Sequence, residues 1–150
     1  MPKSLALDFD RFLPYRLSVL ANTVSQDIAS EYEQRFGLSV TQWRVMAALG
    51  RHDDLAARDV ARHAAMDKVA ISRAVAGLVE RKLVSRRVAT HDRRESRLRL
   101  RAAGRRIHDQ IVPLALEHER RLLQRLNADE QAWLLRILDA LAPSPETALD

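Results

Sequence analysis

Cysteine is absent from the 150 residues, and glycine and proline are scarce, at four and five residues. Without cysteine the chain has no disulfide, thiolate zinc ligand, catalytic thiol or thiol redox sensor. No run approaches the roughly eighteen apolar residues of a membrane-spanning helix. The charged residues Lys3 and Asp8 leave too short an apolar run near the start of the sequence for a signal peptide. We therefore expect a cytoplasmic protein with no membrane partner.

Lysine is also rare, and arginine supplies most of the positive charge. Only three of the 25 basic residues are lysine. Residues 51–106 hold 16 basic and 7 acidic residues, whereas the two flanks together hold 9 basic and 13 acidic residues. A basic middle between mildly acidic flanks favours a polyanion that binds the middle. Arginine suits phosphate because its planar guanidinium donates hydrogen bonds in pairs.

Apolar residues recur every three or four positions over most of the chain, which predicts amphipathic helices. The predicted helices cover about 12–36, 40–50, 55–65, 67–82, 105–126 and 128–141. Gly37 is a suitable end for the first helix, and Ser39 and Asp67 are suitable N-caps for the second and fourth. Pro113 is expected to kink or split the fifth helix.

The apolar period changes after the fourth helix. Residues 83–88 and 96–100 alternate or nearly so, which predicts two strands, and the polar segment 89–95 is expected at the hairpin tip. The fold class is thus mainly α with a small β-hairpin wing. Two short helices, a tight turn and a basic hairpin are the parts of a winged helix-turn-helix. The second helix of such a pair enters the major groove of DNA.

The start of the fourth helix and the hairpin supply the candidate DNA contacts. Ser72 and Arg73 are the expected base readers, since arginine pairs with guanine and serine accepts several partners. Lys68 is expected at phosphate, and Val69 either touches a thymine methyl or belongs to the core. The hairpin candidates are Arg86, Arg87, Asp92, Arg93, Arg94 and Arg97. Among these, Asp92 can hold Arg94 ready for a narrow minor groove.

The chain resembles a known family. The segments that carry the resemblance are 36–45, 55–61, Ser72-Arg73, 78–84, 91–94 and 98–100, and they are similar to the MarR family of bacterial transcription regulators. The Asp-x-Arg of the wing, here Asp92 and Arg94, is its most specific mark. Three positions depart from the family pattern. Ala65 and Lys82 replace glycines, and Arg101 replaces the threonine that caps the fifth helix.

The resemblance implies an architecture and a mode of action. Residues 1–150 would form a single domain, with a winged helix-turn-helix lobe over about 38–100 and a helical dimerisation layer over about 8–36 and 102–142. A homodimer would then repress from a palindromic operator in double-stranded DNA. A small aromatic or phenolic acid would release it. The candidate ligand residues near the implied pocket are Tyr15, Arg16, Asn22, Trp43, Met46, His108 and Ile111.

Other interpretations of the sequence remain open beside this one. Trp43 is also typical of a core position, and Arg16 of a side chain that reaches solvent over apolar surface. A basic winged helix also fits an architectural DNA binder without a ligand, or a module that binds an acidic protein. An enzyme is not expected, because a glycine-rich phosphate loop and a nucleophile motif are both missing. Neither a metal site nor a cofactor is expected, since His52-Asp53 and His91-Asp92 are adjacent pairs whose side chains diverge on a helix.

Overall fold

A computed structural model describes residues 6–88 and 96–143 of the chain. This part is mainly helical with one small antiparallel sheet, which confirms the predicted fold class. After a single 3-10 turn at Phe9–Arg11, the helices are α1 (Leu13–Phe36), α2 (Val40–Arg51), α3 (Ala57–Ala64), α4 (Lys68–Glu80), α5 (Ala102–Leu123) and α6 (Ala128–Leu141). The strands are β1 (Leu55–Ala56), β2 (Val84–Val88) and β3 (Ser96–Leu100).

The sheet has the order β1-β3-β2, with both pairs antiparallel. The two strands of the predicted hairpin are present as β2 and β3. The prediction that the third helix begins at Leu55 is wrong, because Leu55 and Ala56 form β1 and pair with Leu98 and Arg97 of β3. Two residues are too few to show the alternation of a strand, so the apolar pattern of the following helix was extended over them.

The chain divides into two compact units, Met1–Pro113 and Leu114–Asp150. The first unit has a continuous core, to which every helix from α1 to α5 and the sheet contribute. On α4 the core residues are Ile71, Ala74, Val75 and Leu78. Val69 does not join them, because it is 61% exposed. Of the two roles that the sequence left open for Val69, the core role is therefore wrong.

Arg81 connects the ends of two helices. Its guanidinium donates to the carbonyl oxygens of Phe36, at 2.7 Å, and Gly37, at 3.1 Å. These carbonyls lie at the C-terminal end of α1, where helix carbonyls lack intrahelical partners. Arg81 itself directly follows α4, so one side chain holds the end of α1 against the end of α4.

Helix α5 differs from its predicted bounds at both ends and continues through Pro113 without a split. It begins at Ala102, before Gly104. That glycine is buried where a Cβ would collide with the Leu83 carbonyl oxygen. Arg101 offers no side-chain acceptor to the first turn, but its backbone N–H donates to the Leu83 carbonyl at 2.9 Å.

The second unit contains the end of α5 and all of α6. Asn127 and Glu130 form a reciprocal capping box at the start of α6, with bonds of 2.8 and 2.9 Å. On α5, hydrogen bonds from Arg120 and then Arg121 lower the pKa of Glu117 to about 2. Both pairs follow the (i, i+3) and (i, i+4) spacing that places side chains on one helix face.

Both positions that replace family glycines adopt the left-handed backbone conformation. Ala65 has φ of 53° and Lys82 has φ of 59°. Ala65 forms the turn between α3 and α4, and Lys82 precedes the first wing strand. For a residue with a Cβ this region costs roughly 1–2 kcal/mol. The backbone is therefore strained at two residues, one before α4 and one before the wing, and both help to position these elements.

We predict that Ala65→Gly stabilises the protein by about 0.5–1 kcal/mol, because relief of the left-handed strain exceeds the added chain entropy of glycine. Urea unfolding followed by circular dichroism measures the change. Ala76→Gly is the matched control, since Ala76 lies exposed within α4 and glycine there costs about 1 kcal/mol. Destabilisation by Ala65→Gly would contradict the strain argument.

Candidate nucleic-acid interface

Helix α4 is the second helix of the pair and the candidate recognition helix, and the turn after α3 positions its start. After Ala65, Asp67 caps α4 as predicted, and its Oδ1 accepts from the Ala70 N–H at 2.9 Å. One face of α4 is buried in the core and the other is exposed to solvent. The four α4 residues proposed from the sequence all lie on the exposed face: Lys68, Val69, Ser72 and Arg73. The helix therefore presents two cations, one hydroxyl and one apolar side chain together.

A groove of about 340 Å³ joins the recognition helix to the wing. Lys68 and Ser72 of α4 line it together with Arg86 of β2, so the fold brings three sequence-proposed residues to one surface. Arg58, on the first turn of α3, lines the same groove. Sequence analysis did not single out Arg58, and the only signal for it was its place in the basic middle of the chain.

A second depression, of about 370 Å³, lies between the start of α2 and α4. Arg73 lines it with Ser39, Thr41 and Gln42. Ser39 and Gln42 form a capping box, with bonds of 3.1 Å in both directions. A helix start with hydroxyls beside an arginine suits a phosphate group. Sequence analysis identified Ser39 only as a cap, because its proximity to Arg73 depends on how α2 packs against α4.

On the wing, two proposed DNA contacts have a protein partner. Asp54 Oδ2 accepts from Arg87 Nη2 at 3.3 Å, and its Oδ1 accepts from Arg97 Nε at 3.3 Å. Arg97 also donates to the Asp54 backbone carbonyl at 3.0 Å. Arg97 is half-buried, whereas Arg87 is largely exposed. Asp54 therefore holds β2 and β3 through one carboxylate, a role that was not predicted from the sequence.

Two further arginines, Arg99 and Arg105, contact the neighbouring Asp53. Arg99 donates to its backbone carbonyl at 3.2 Å, and Arg105 contacts its carboxylate at 3.4 Å. Arg105 also donates to the Gly50 carbonyl at 3.0 Å. The loop between α2 and β1 thus neutralises part of the arginine cluster. The wing-tip candidates Asp92, Arg93 and Arg94 lie outside the described residues.

The candidate ligand residues fall into two groups. Tyr15, Arg16 and Asn22 are exposed on α1, and the Tyr15 ring contacts Phe9 at a centroid distance of 5.2 Å. In contrast, Met46 and Ile111 are fully buried in the core. Trp43 and His108 are half-buried and lie next to each other. The structure therefore does not gather all seven residues around one opening of the first unit.

An aromatic row extends from the core to His108. The ring centroids of Tyr32 and Trp43 are 6.1 Å apart, and those of Trp43 and His108 are 5.8 Å apart. Burial, followed by the charge of Glu33, raises the pKa of Tyr32 to about 12, so its hydroxyl stays neutral. His108 covers Gly50, where a Cβ would collide with the imidazole. Gly50 thus provides the space for His108 beside Trp43.

Over residues 6–88 and 96–143, no helix is both long and apolar enough to span a membrane. The same residues hold no group of three histidine or acidic side chains placed to bind a metal ion.

A helix pair joined by a left-handed turn, an exposed recognition face and a basic wing define a winged helix-turn-helix DNA-binding protein. The family model of the MarR family matches residues 36–95. No curated protein matches the chain. Residues 36–95 of this chain are therefore similar to the MarR family, and the structural similarities below extend this likeness over most of the chain.

Several solved structures resemble the chain over most of its length. A MarR/EmrR family regulator from Acinetobacter sp. ADP1 is 27% identical, with a TM-score of 0.80, and the match covers 90% of this chain and 95% of that one. A mutant of Escherichia coli MarR in complex with operator DNA is 23% identical, with a TM-score of 0.77 and coverages of 92% and 100%. Bordetella bronchiseptica BpsR, whose DNA binding is regulated by 6-hydroxynicotinic acid, is 22% identical, with a TM-score of 0.72 and coverages of 85% and 99%.

Proposed function

We propose that this regulator is a homodimeric repressor that binds a palindromic operator and leaves it when a small aromatic acid binds. The exposed face of α4, continuous with a groove that ends at Arg86 of the wing, carries the proposal. A core-facing helix would not expose Lys68, Val69, Ser72 and Arg73 together. The structural similarity to a MarR protein in complex with operator DNA supports the same use of this face.

We assign each candidate contact a role on DNA. Arg73 and Ser72 read base edges, and exposed Val69 contacts a thymine methyl. Lys68 and Arg86 bind phosphates from either side of the groove. The start of α2 binds a further phosphate beside Arg73. Arg87 and Arg97 contribute mainly by holding the wing through Asp54, and Asp92, Arg93 and Arg94 are assigned to the minor groove on the sequence argument alone.

Exposed apolar residues support the homodimer. On α1 of the first unit, Leu13, Leu17 and Leu20 follow helical spacing and are between 42% and 55% exposed. In the second unit, α6 exposes Trp133, Leu135, Ile137, Leu138 and Leu141. Patches of this kind mark interaction surfaces in soluble proteins. A two-fold dimer covers the same patch on both copies and places two recognition helices about 34 Å apart, one turn of DNA.

The effector proposal rests on the row of Trp43 and His108. These two half-buried rings offer a stacking surface next to the core, and the Nδ1 atom of His108 lies 2.9 Å from the Asp109 carboxylate. Arg16 and Tyr15, exposed on α1, are proposed to complete the site in the dimer by pairing with the carboxylate and ring of the acid. BpsR provides a precedent, because 6-hydroxynicotinic acid is a small aromatic acid. The acid would act by favouring a dimer whose recognition helices no longer match the half-site spacing.

Adjacent arginines on β2 allow a matched test of the DNA-binding face. Within the described residues no carboxylate pairs with Arg86, whereas Arg87 is paired with Asp54. We predict that Arg86→Ala weakens binding to all DNA sequences and lowers the salt slope of log K by about 1. Arg87→Ala is expected to change both quantities less.

Fluorescence anisotropy at several salt concentrations, on operator and shuffled DNA, measures both effects. The folded state of each variant is checked by circular dichroism. A larger loss for Arg87→Ala than for Arg86→Ala would contradict the assignment of the groove as the DNA-binding side of the wing.

A further inference from the structure

A basic cleft between α2 and α3 shares no lining residue with the two depressions at α4. It has a volume of about 450 Å³. Arg44 and Arg51 of α2 line one side together with His52, which directly follows α2, and His63 of α3 lines the other. Four alanines provide the rest of the lining. The volume lies within the range of small-molecule sites and far exceeds that of one inorganic ion.

No carboxylate of the described residues neutralises the positive charge of this cleft. Among these residues, neither an aspartate nor a glutamate lines it. Across the described ranges 6–88 and 96–143, none of its arginine or histidine side chains forms an ion pair. The wing differs, because Asp53 and Asp54 there offset the arginines around them. Two guanidinium groups that are always charged therefore face the same space.

Three of the four basic side chains that line the cleft are held in place, namely Arg44, His52 and His63. Arg44 donates to the Ser25 hydroxyl at 3.3 Å and to the Ala64 carbonyl at 3.5 Å, and both of these acceptors are neutral. The rings of His52 and His63 are stacked, with centroids 5.0 Å apart and planes 29° apart. Neutral acceptors orient a guanidinium without cancelling its charge. The stacked imidazoles add a flat wall with ring nitrogens at its edge.

We propose that this cleft binds a small organic dianion with an apolar body, either a phosphate monoester or a dicarboxylate. Two uncompensated guanidinium groups match two negative charges, because each donates to carboxylate or phosphate oxygens in pairs. The apolar body packs against the alanine methyl groups and the imidazole wall. Ala65 belongs to this lining, so the bound dianion lies against the turn that positions α4.

Histidine NMR tests this site separately from the effector pocket proposed above. His52 and His63 report on the cleft, whereas His108 reports on the Trp43 pocket. We titrate the full protein, without DNA, with phenyl phosphate, phthalate, inorganic phosphate and benzoate, and follow the assigned imidazole signals. Phenyl phosphate or phthalate is expected to shift His52 and His63, and to bind at least about tenfold more tightly than inorganic phosphate or benzoate.

Matched variants locate the contact. Arg51→Gln is expected to weaken binding of the dianion about tenfold or more, because it removes a charge-assisted pair of hydrogen bonds. Arg62→Gln is the control, since Arg62 pairs with Asp59 and does not line the cleft. If Arg51→Gln does not fold, Arg51→Lys keeps the charge, loses the paired geometry and is expected to weaken binding to a smaller extent.

Three results would overturn the proposal. They are shifts of His108 alone, benzoate binding as tightly as the dianions, and unchanged His52 and His63 signals with all four probes. None of these results depends on the repressor role, because DNA is not present in the titration. Loss of DNA binding with an intact cleft, or the reverse, would separate the two proposals.

Discussion

Leu20→Glu is expected to convert the protein to a monomer and to weaken its binding to a palindromic operator by a factor on the order of 10³. Leu20 lies on the exposed apolar stripe of α1 with Leu13 and Leu17, and it is 55% exposed in the single chain. Burying a glutamate against the same stripe of a second copy leaves a charge without a partner. Each monomer then binds one half-site without the gain from the linked second half.

Gln26→Glu is the matched control for this substitution. Gln26 is exposed on α1 and lies roughly 120° around the helix axis from Leu20, away from the apolar stripe. The Gln26→Glu substitution introduces the same carboxylate into the same helix and is expected to leave the dimer intact. Analytical ultracentrifugation gives the mass, and anisotropy gives the operator affinity. A dimeric Leu20→Glu protein with full affinity would contradict the assignment of this stripe to the dimer.

Arg73→Ala is expected to cost about 1–3 kcal/mol on the specific site, which is roughly 5- to 150-fold in affinity, and to relax base choice at one position. Arg73 is exposed on the recognition face and lies next to the start of α2. An arginine that donates in pairs to guanine loses both bonds on truncation, so the loss depends on the base.

Lys68→Ala provides the comparison for this prediction. Lys68 is exposed at the start of α4 and is assigned to phosphate, so its loss is expected to weaken all DNA sequences to a similar extent. We measure the affinity of both variants for four operators that differ only in the base at the contacted position. This measurement distinguishes a base contact from a phosphate contact. An equal loss on every sequence for Arg73→Ala would show that this residue is not a base reader.

The sequence predicted the features that depend on near neighbours. Ser39 and Asp67 are each followed three residues later by the backbone N–H that they cap, and both caps are present. Gly37 ends α1 in the left-handed conformation. The apolar spacing correctly predicted that α4 is a helix. Its buried face includes Ile71 and Ala74, which leaves Val69 exposed.

Features that depend on distant partners were not predicted. β1 exists because Leu55 pairs with Leu98, which lies more than forty residues away. Arg81 was counted only as a charge, yet it holds the end of α1. Asp54 was assigned no role from the sequence, yet it holds two wing arginines. Hydrogen bonds across the fold leave no periodic trace in the sequence, because periodicity records only which face of an element is buried.

The candidate ligand residues show the same limit. Trp43 and His108 are 65 residues apart in sequence but adjacent in the structure, whereas Met46 and Ile111 are core residues. An apolar residue on a helix face carries the same pattern in either role. The cleft between α2 and α3 was not predicted at all, since its basic side chains come together only when the two helices pack.

The central claim is that this protein recognises a specific DNA sequence. The most direct test is fluorescence anisotropy of the purified protein on the DNA upstream of its own gene, against a shuffled fragment, at two salt concentrations. We predict a preference for the native fragment on the order of 10³ or more at both concentrations. Equal affinity for the two fragments, with the same steep dependence on salt, would contradict this claim and favour an architectural DNA binder.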